Sequence, residues 1–292
     1  MIPPEYTAFV DDAAIFPPGN AHLGEAVRDY RANAAAPYAA MVGPFVVSDV
    51  RIPDLLEVLT LSPGDPLPVT VVVTGGAGGI EPASRWAAGS DLLELRSLEI
   101  ALRDLDDLGG NARRVAAAAD TAPDVPVFVE LPLSPGLVGG HGWSAALDVL
   151  AEHEMRLKWR TGGATADMFP GAPTLATALE AALDRELPFK CTAGLHHAVR
   201  HRDDSTGSEH HGFLNVLVAT RAAFDGAGQD AVVEVLEERD ADAGRARVRT
   251  TGSEGLARTR RWFTSFGCCG VLDPLEDLLD LGLVHLGTPH SG

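Results

Sequence analysis

Short runs of β-branched and apolar residues alternate along this chain with alanine- and leucine-rich segments of helical character. The strand-like runs are Ala8–Asp12, Val42–Val47, Val69–Thr74, Leu92–Arg96, Val125–Leu131, Arg156–Thr161, Phe189–Ala193 and Trp262–Phe266. Between most of them lie helical candidates: Leu23–Ala35, Pro53–Leu59, Asp104–Ala119, Ser144–Glu152 and Pro173–Arg185. Strand starts recur every 23 to 34 residues until the last interval, which is much longer. This is the rhythm of βα units, because parallel strands need a crossover between them.

Eight such strands in 292 residues predict an α/β fold of the (β/α)8, TIM-like barrel kind, as a single domain over residues 1–292. The rival is an open doubly wound sheet. The glycine run Gly75–Gly79 lacks the spacing of a dinucleotide fingerprint, which weakens that alternative. The long interval predicts a helical and loop excursion before the last strand. It opens with a polar loop over residues 200–212, continues through helices at Phe213–Phe224 and Ala231–Arg239, and ends in a polar connection, Asp240–Gly255. Phe213–Ala219 reads equally as a strand.

Side chains alternate between the faces of a strand. Leu157 and Trp159 therefore oppose Lys158 and Arg160, and Phe189 and Cys191 oppose Lys190 and Thr192. Val129 and Leu131 oppose Glu130, and Leu93 and Leu95 oppose Glu94 and Arg96. In a barrel the apolar faces pack on the helices. Glu94, Arg96, Glu130, Lys158, Arg160, Lys190 and Thr192 are then expected to point inward. So many interior charges must pair or line a solvated pocket.

Composition sharpens this picture at two positions. The chain has 23 basic residues, of which Lys158 and Lys190 are the only lysines. Both fall on predicted inward faces, in matching Lys-x-x-x-Gly stretches (Lys158–Gly162 and Lys190–Gly194) one βα unit apart. Arginine cannot replace a lysine that must lose its proton. A neutral amine can form a Schiff base or act as a general base, and a second cation nearby is expected to favour the neutral form. The bland reading is compositional bias that left two lysines by chance, used as a structural ion pair or an anion clamp.

The stretch Lys190-Cys191-Thr192-Ala193-Gly194 resembles the Lys-Thr-Ser-Thr-Gly stretch of deoxyribose-phosphate aldolases, which are (β/α)8 class I aldolases. That resemblance implies Lys190 as the Schiff-base lysine, tuned by a second inward lysine. In that family the second lysine follows the Schiff-base strand, whereas Lys158 precedes Lys190. The whole chain also resembles a group of bacterial proteins carrying the N-terminal stretch Asp11-Asp12-Ala13-Ala14-Ile15-Phe16-Pro17-Pro18, which implies no activity.

The net charge of −18 argues against a nucleic-acid partner. Residues 153–202 nevertheless hold seven Lys/Arg against five Asp/Glu, a locally positive segment around both lysines. No apolar run is long enough to suggest a membrane helix, and the N-terminus lacks the marks of a secretory signal. Three cysteines, two of them adjacent, make a poor disulfide framework, so a cytoplasmic location is expected.

His196 and His197 follow the Lys190 strand and are candidate proton shuttles. With His201, Asp203, Asp204, Glu209, His210 and His211 they could also bind a metal, although their spacing matches no specific signature. Cys268 and Cys269 lack a local His or Asp pattern and read as inert. Gly162-Gly163 and Gly267–Gly270 could offer backbone N–H groups to an anion. Asp11 and Asp12 could serve a metal or a hydroxyl group, but read first as stabilisers of the following turn.

The expected function is an aldolase-type lyase acting on a small polar or anionic carbonyl compound. Lys190 would be the nucleophile and Lys158 its modulator. Glu130 and His196 or His197 would handle protons, and Arg160, Thr192, Glu94 and Arg96 would bind substrate. No cofactor is expected, although a divalent metal is possible. A metal-dependent lyase, isomerase or hydrolase and a non-catalytic small-molecule-binding barrel are the alternatives. A small-molecule substrate is the expected partner, with self-association into a homo-oligomer possible and neither nucleic acid nor membrane expected.

Overall fold

A computed structural model describes residues 1–122, 125–204 and 207–286 of the chain. Eight parallel strands close into a barrel: β1 (Val10–Asp12), β2 (Val42–Ser48), β3 (Leu67–Val73), β4 (Leu93–Ala101), β5 (Val127–Leu131), β6 (Arg156–Arg160), β7 (Phe189–Thr192) and β10 (Phe263–Cys268). Each pairs with its neighbour in sequence order. β10 closes the ring between β7 and β1. Helices α1 (Leu23–Ala34), α2 (Ile52–Leu61), α3 (Ile80–Ala88), α4 (Leu108–Ala119), α5 (His141–Glu152) and α6 (Ala172–Leu183) make the first six crossovers; all but α3 match a helical candidate of the sequence. Among the described residues no helix is long and apolar enough to cross a membrane.

The excursion between β7 and β10 departs from expectation in two places. Its polar loop carries a short hairpin, β8 (His201–Arg202) with β9 (Glu209–His210), while Ser205 and Thr206 lie outside the described residues. After α7 (Phe213–Phe224) and α8 (Gln229–Glu237), the segment expected as a polar connection is helical, α9 (Ala241–Thr259), kinked at Gly252, whose φ of +72° interrupts the helix. Its sequence lacks a broad apolar stripe. The Asp240 side chain caps it by accepting from the Ala243 N–H at 2.9 Å, and Val248 and Leu256 supply its buried anchor. Phe213–Ala219 is helical, so the strand alternative for it falls. The short α10 (Leu272–Asp280) follows β10.

The core lies between the outer face of the barrel and the helices. Val69, Val71, Leu98, Val129, Leu131, Leu157, Trp159, Phe189 and Cys191 are all fully buried there. Trp143 of α5 stacks on Trp159 with ring centroids 5.8 Å apart. Phe9, Phe213, Phe263 and Phe266 form an aromatic cluster beneath the excursion. With the apolar residues on this face, the alternate residues of each strand must point into the barrel.

The Lys-x-x-x-Gly stretches have a backbone explanation. Where β6 and β7 end, Gly162 and Gly194 are packed so closely that a Cβ on Gly162 would sit 2.9 Å from Gly194 Cα. Gly194 also has φ +79°, a conformation that favours glycine. The two strand exits touch through bare backbone, which aligns Lys158 with Lys190 in register.

Candidate active site

Lys158 and Lys190 both point into the barrel, 4% and 1% exposed. They meet a carboxylate that the sequence reading missed. Glu99, on β4, reaches across the interior so that its Oε2 lies 2.6 Å from Lys158 Nζ and its Oε1 lies 2.5 Å from Lys190 Nζ. Lys190 also donates to Asp11 Oδ2 on β1, an oxygen that accepts from Ser265 Oγ of β10 at 2.9 Å. Lys158 lies 3.0 Å from Glu130 Oε2 on β5, and Arg160 Nε donates to Glu130 Oε1 at 2.7 Å. Phe128 underlies the cluster, with Lys190 Nζ 5.3 Å from its ring centroid.

These contacts form one ladder of alternating charge, Asp11–Lys190–Glu99–Lys158–Glu130–Arg160. Three carboxylates face three cations, so the buried charge is balanced, which is what makes its burial tolerable. Burial opposes ionisation of Glu99, but the two ammonium groups outweigh it and hold the carboxyl down at about 2. Glu130 is likewise held low, against its burial, by Lys158 and Arg160. Burial lifts Asp11 above the ordinary carboxylate range despite Lys190 beside it. Both lysines, although buried, are held above the ordinary lysine value by their carboxylates. This corrects the expectation that a second cation would favour a neutral amine. Each lysine sits between two carboxylates, and opposite charge at contact dominates.

The remaining residues divide. Arg160, 39% exposed at its side chain, carries the ladder toward the C-terminal mouth of the barrel. Thr192 lies one inward position beyond Lys190, in register with Arg160 on one side and Gly267 on the other. A Cβ on Gly267 would come within 3.3 Å of Thr192 Oγ1. Glu94 and Arg96 do not join the site. They are about half exposed and pair with each other at 2.7 Å near the start of β4, at the opposite end of the barrel. Glu94 is kept out by its place at the start of the strand, and Arg96 by a bulge: Leu95 registers with Val69 but Ser97 with Thr70, so Arg96 is an extra residue that resets the alternation. Beyond it Ser97 and Glu99 face inward, and Ser97 Oγ lies 2.8 Å from Thr70 Oγ1.

The two histidines also leave the ladder. Their side chains pair with α10: His196 Nδ1 lies 3.0 Å from Asp273 Oδ2 and His197 Nδ1 lies 3.3 Å from Asp277 Oδ2. The contact with Asp273, and then those with Cys268 and Cys269, push the His196 imidazolium up to about 12. The other candidate ligands of the loop are dispersed. His201 and His210 pack ring to ring at 5.2 Å, His211 Nε2 donates to Pro170 O at 2.8 Å, and Glu209 pairs with Arg239 at 2.6 Å.

Asp11 and Asp12 separate in role. Asp12 accepts from the Ala14 N–H at 3.0 Å, as a turn stabiliser does, whereas Asp11 enters the ladder. Room for Asp11 comes from Gly43, where any side chain would collide with Asp11 Oδ1. Glu99 carried a legible signal, the continued alternation Ser97-Leu98-Glu99-Ile100, which a strand ended at Arg96 cut off. Ser265 carried none.

The fold and the inward ladder thus define a (β/α)8 barrel with a polar interior toward the C-terminal ends of its strands, the end at which such barrels build their sites. No protein-family model and no curated protein matches the chain by sequence. Among solved structures it is similar to the tetrameric deoxyribose phosphate aldolase from Aeropyrum pernix, at 13% identity over 95% of this chain and 93% of that one, with a TM-score of 0.54. It is also matched to a dihydropteroate synthase from Xanthomonas albilineans, at 13% identity over 97% and 95% of the two chains, with a TM-score of 0.40. At such identities the first match speaks for the barrel fold.

Proposed function

We propose that this protein is an aldolase-type lyase acting on a small polar or anionic carbonyl compound through a lysine Schiff base. The observation that carries this reading is Glu99 held between two buried lysines inside the barrel. We assign the attack to Lys158 and the supporting role to Lys190, the reverse of the expectation drawn from the Lys190 stretch. Lys158 touches Glu130, which leads through Arg160 to the mouth, whereas Lys190 is enclosed by Asp11, Glu99 and Phe128.

Lys158 must first lose a proton, and Glu130 at 3.0 Å is positioned to receive it. The neutral amine then adds to the carbonyl carbon, and the carbonyl oxygen departs as water once it has gained two protons, leaving an iminium. As the bond between the α- and β-carbons breaks, its electron pair flows toward the iminium to give an enamine, which protonation at the α-carbon and hydrolysis then convert to carbonyl product and free Lys158. A carboxylate of the ladder takes the proton from the hydroxyl of the departing carbon, which leaves as an aldehyde or ketone. Arg160 and Thr192 would hold the polar end of the substrate.

Borohydride reduction in the presence of a panel of aldehydes and ketoacids, followed by peptide mass mapping, tests this reading. The expected adduct is on Lys158 and is lost in Lys158→Arg, which keeps the charge but cannot become a neutral amine. An adduct on Lys190 alone would exchange the two roles. The raised lysine values favour a second reading, a binding barrel in which the ladder holds a ligand without reacting. Stabilisation of folded protein by members of the panel, with no adduct on either lysine, would establish that reading instead.

A further inference from the structure

On the rim of the barrel, beside the ladder, three different metal-ligating side chains converge from three places in the chain. Cys268 ends β10, His196 follows β7, and Asp273 lies in the first turn of α10. Cys268 Sγ is 3.4 Å from His196 Nδ1, Asp273 Oδ2 is 3.0 Å from the same nitrogen, and the three donor atoms all lie within 4.8 Å of one another. The Cys268 thiol also donates to Gly270 O at 3.2 Å, so the case for a cation rests on the close convergence of three kinds of ligand atom. A cation seated among the three satisfies all of them.

The spacing fits zinc. Tetrahedral bonds of about 2.0 Å to nitrogen and oxygen and about 2.3 Å to sulfur separate the donors by roughly 3.3 to 3.5 Å. The nitrogen–oxygen and nitrogen–sulfur separations, 3.0 and 3.4 Å, fall within a few tenths of an ångström of that range. The backbone is shaped to allow the approach, because a Cβ on Gly270 would come within 2.7 Å of Asp273 Oδ2. The opposite ring nitrogen, Nε2, faces Cys269 Sγ at 3.7 Å. With Nδ1 on a metal, Nε2 carries the proton and donates to that sulfur, the arrangement by which a neighbouring acceptor orients a metal-bound histidine. Charge also balances: a divalent ion against one thiolate, one carboxylate and a neutral imidazole leaves no net charge in a half-buried site.

We propose that Cys268, His196 and Asp273 form a zinc site, with Cys269 orienting the histidine and the fourth coordination position left to solvent on the side where Asp273 is exposed. Binding would displace the Cys268 thiol proton and the proton on His196 Nδ1 into solvent. The softness of the donor set selects zinc over magnesium or calcium, which prefer oxygen.

The experiment is metal analysis of the full chain, purified without a histidine tag, stripped with chelator and re-exposed to zinc. The expected result is one zinc per chain. Replacement by cobalt(II) should give a thiolate-to-cobalt charge-transfer band. The band should disappear in Cys268→Ser and persist in Cys269→Ser. Should Cys268→Ser not fold, the stripped wild-type chain still tests the site, because zinc should raise its thermal midpoint. Substoichiometric zinc in folded wild-type protein without that stabilisation, or a cobalt–thiolate band that survives Cys268→Ser, would overturn the proposal. Neither readout depends on Schiff-base chemistry, so this site and the proposed lyase activity can fail separately.

Discussion

Glu99 and Lys158 meet at 2.6 Å inside the barrel, one from β4 and the other from β6, two strands away. The second oxygen of Glu99 serves Lys190, so one carboxylate neutralises parts of two ammonium groups that are otherwise cut off from water.

Removing that carboxylate should therefore cost more than any other single change to the ladder. Glu99→Gln is expected to lower stability to urea by about 3–5 kcal/mol, the usual cost of leaving a buried charge without its partner. Adding Lys190→Met to it should recover part of the loss, because the second change removes the stranded cation. If the two losses simply added, Glu99 and Lys190 would not be coupled.

His211 makes stability depend on pH. Its ring is buried in the neutral form, with Nε2–H donating to Pro170 O at 2.8 Å and Nδ1 facing the Arg200 guanidinium at 3.2 Å. Burial, and then Arg200, push its pKa down to about 4. The unfolded chain takes up this proton near the ordinary histidine value of about 6.5, earlier than the folded chain does. The contribution is thus complete above about pH 6.5 and is lost as pH falls toward 4, by an amount on the order of 3 kcal/mol. Urea unfolding at pH 7 and pH 4.5 should show the fall, and His211→Gln should reduce it.

The contact between the two strand exits gives a third expectation. Gly194→Ala would place a methyl group 2.7 Å from Thr161 O on a residue with φ +79°. Strain at such a position costs about 1–3 kcal/mol. The thermal midpoint should fall, and the yield of trapped adduct should fall with it, because the same contact holds Lys158 and Lys190 in register.

Much of this architecture was legible in one dimension. Alternation placed Lys158, Lys190, Glu130, Arg160 and Thr192 on inward faces, and in these strands the pleat runs unbroken from end to end. It failed at β4, where Arg96 bulges out and the residues beyond it change face, so that Ser97 and Glu99 point inward. It failed again at α9, a helix held by its cap and two buried anchors rather than by a broad apolar stripe.

The sequence by itself determined the eight strands, most of the crossovers and the two lysines that share a register. A strand's pleat and a helix's period are local properties, written in neighbouring residues. Tertiary structure alone decided what those lysines touch. Asp11, Glu99 and Lys190 are separated by 88 and 91 positions along the chain and meet only because the barrel closes. Closure also decided their charge state, since the field at a buried amine is set by the groups packed around it and not by its neighbours in sequence.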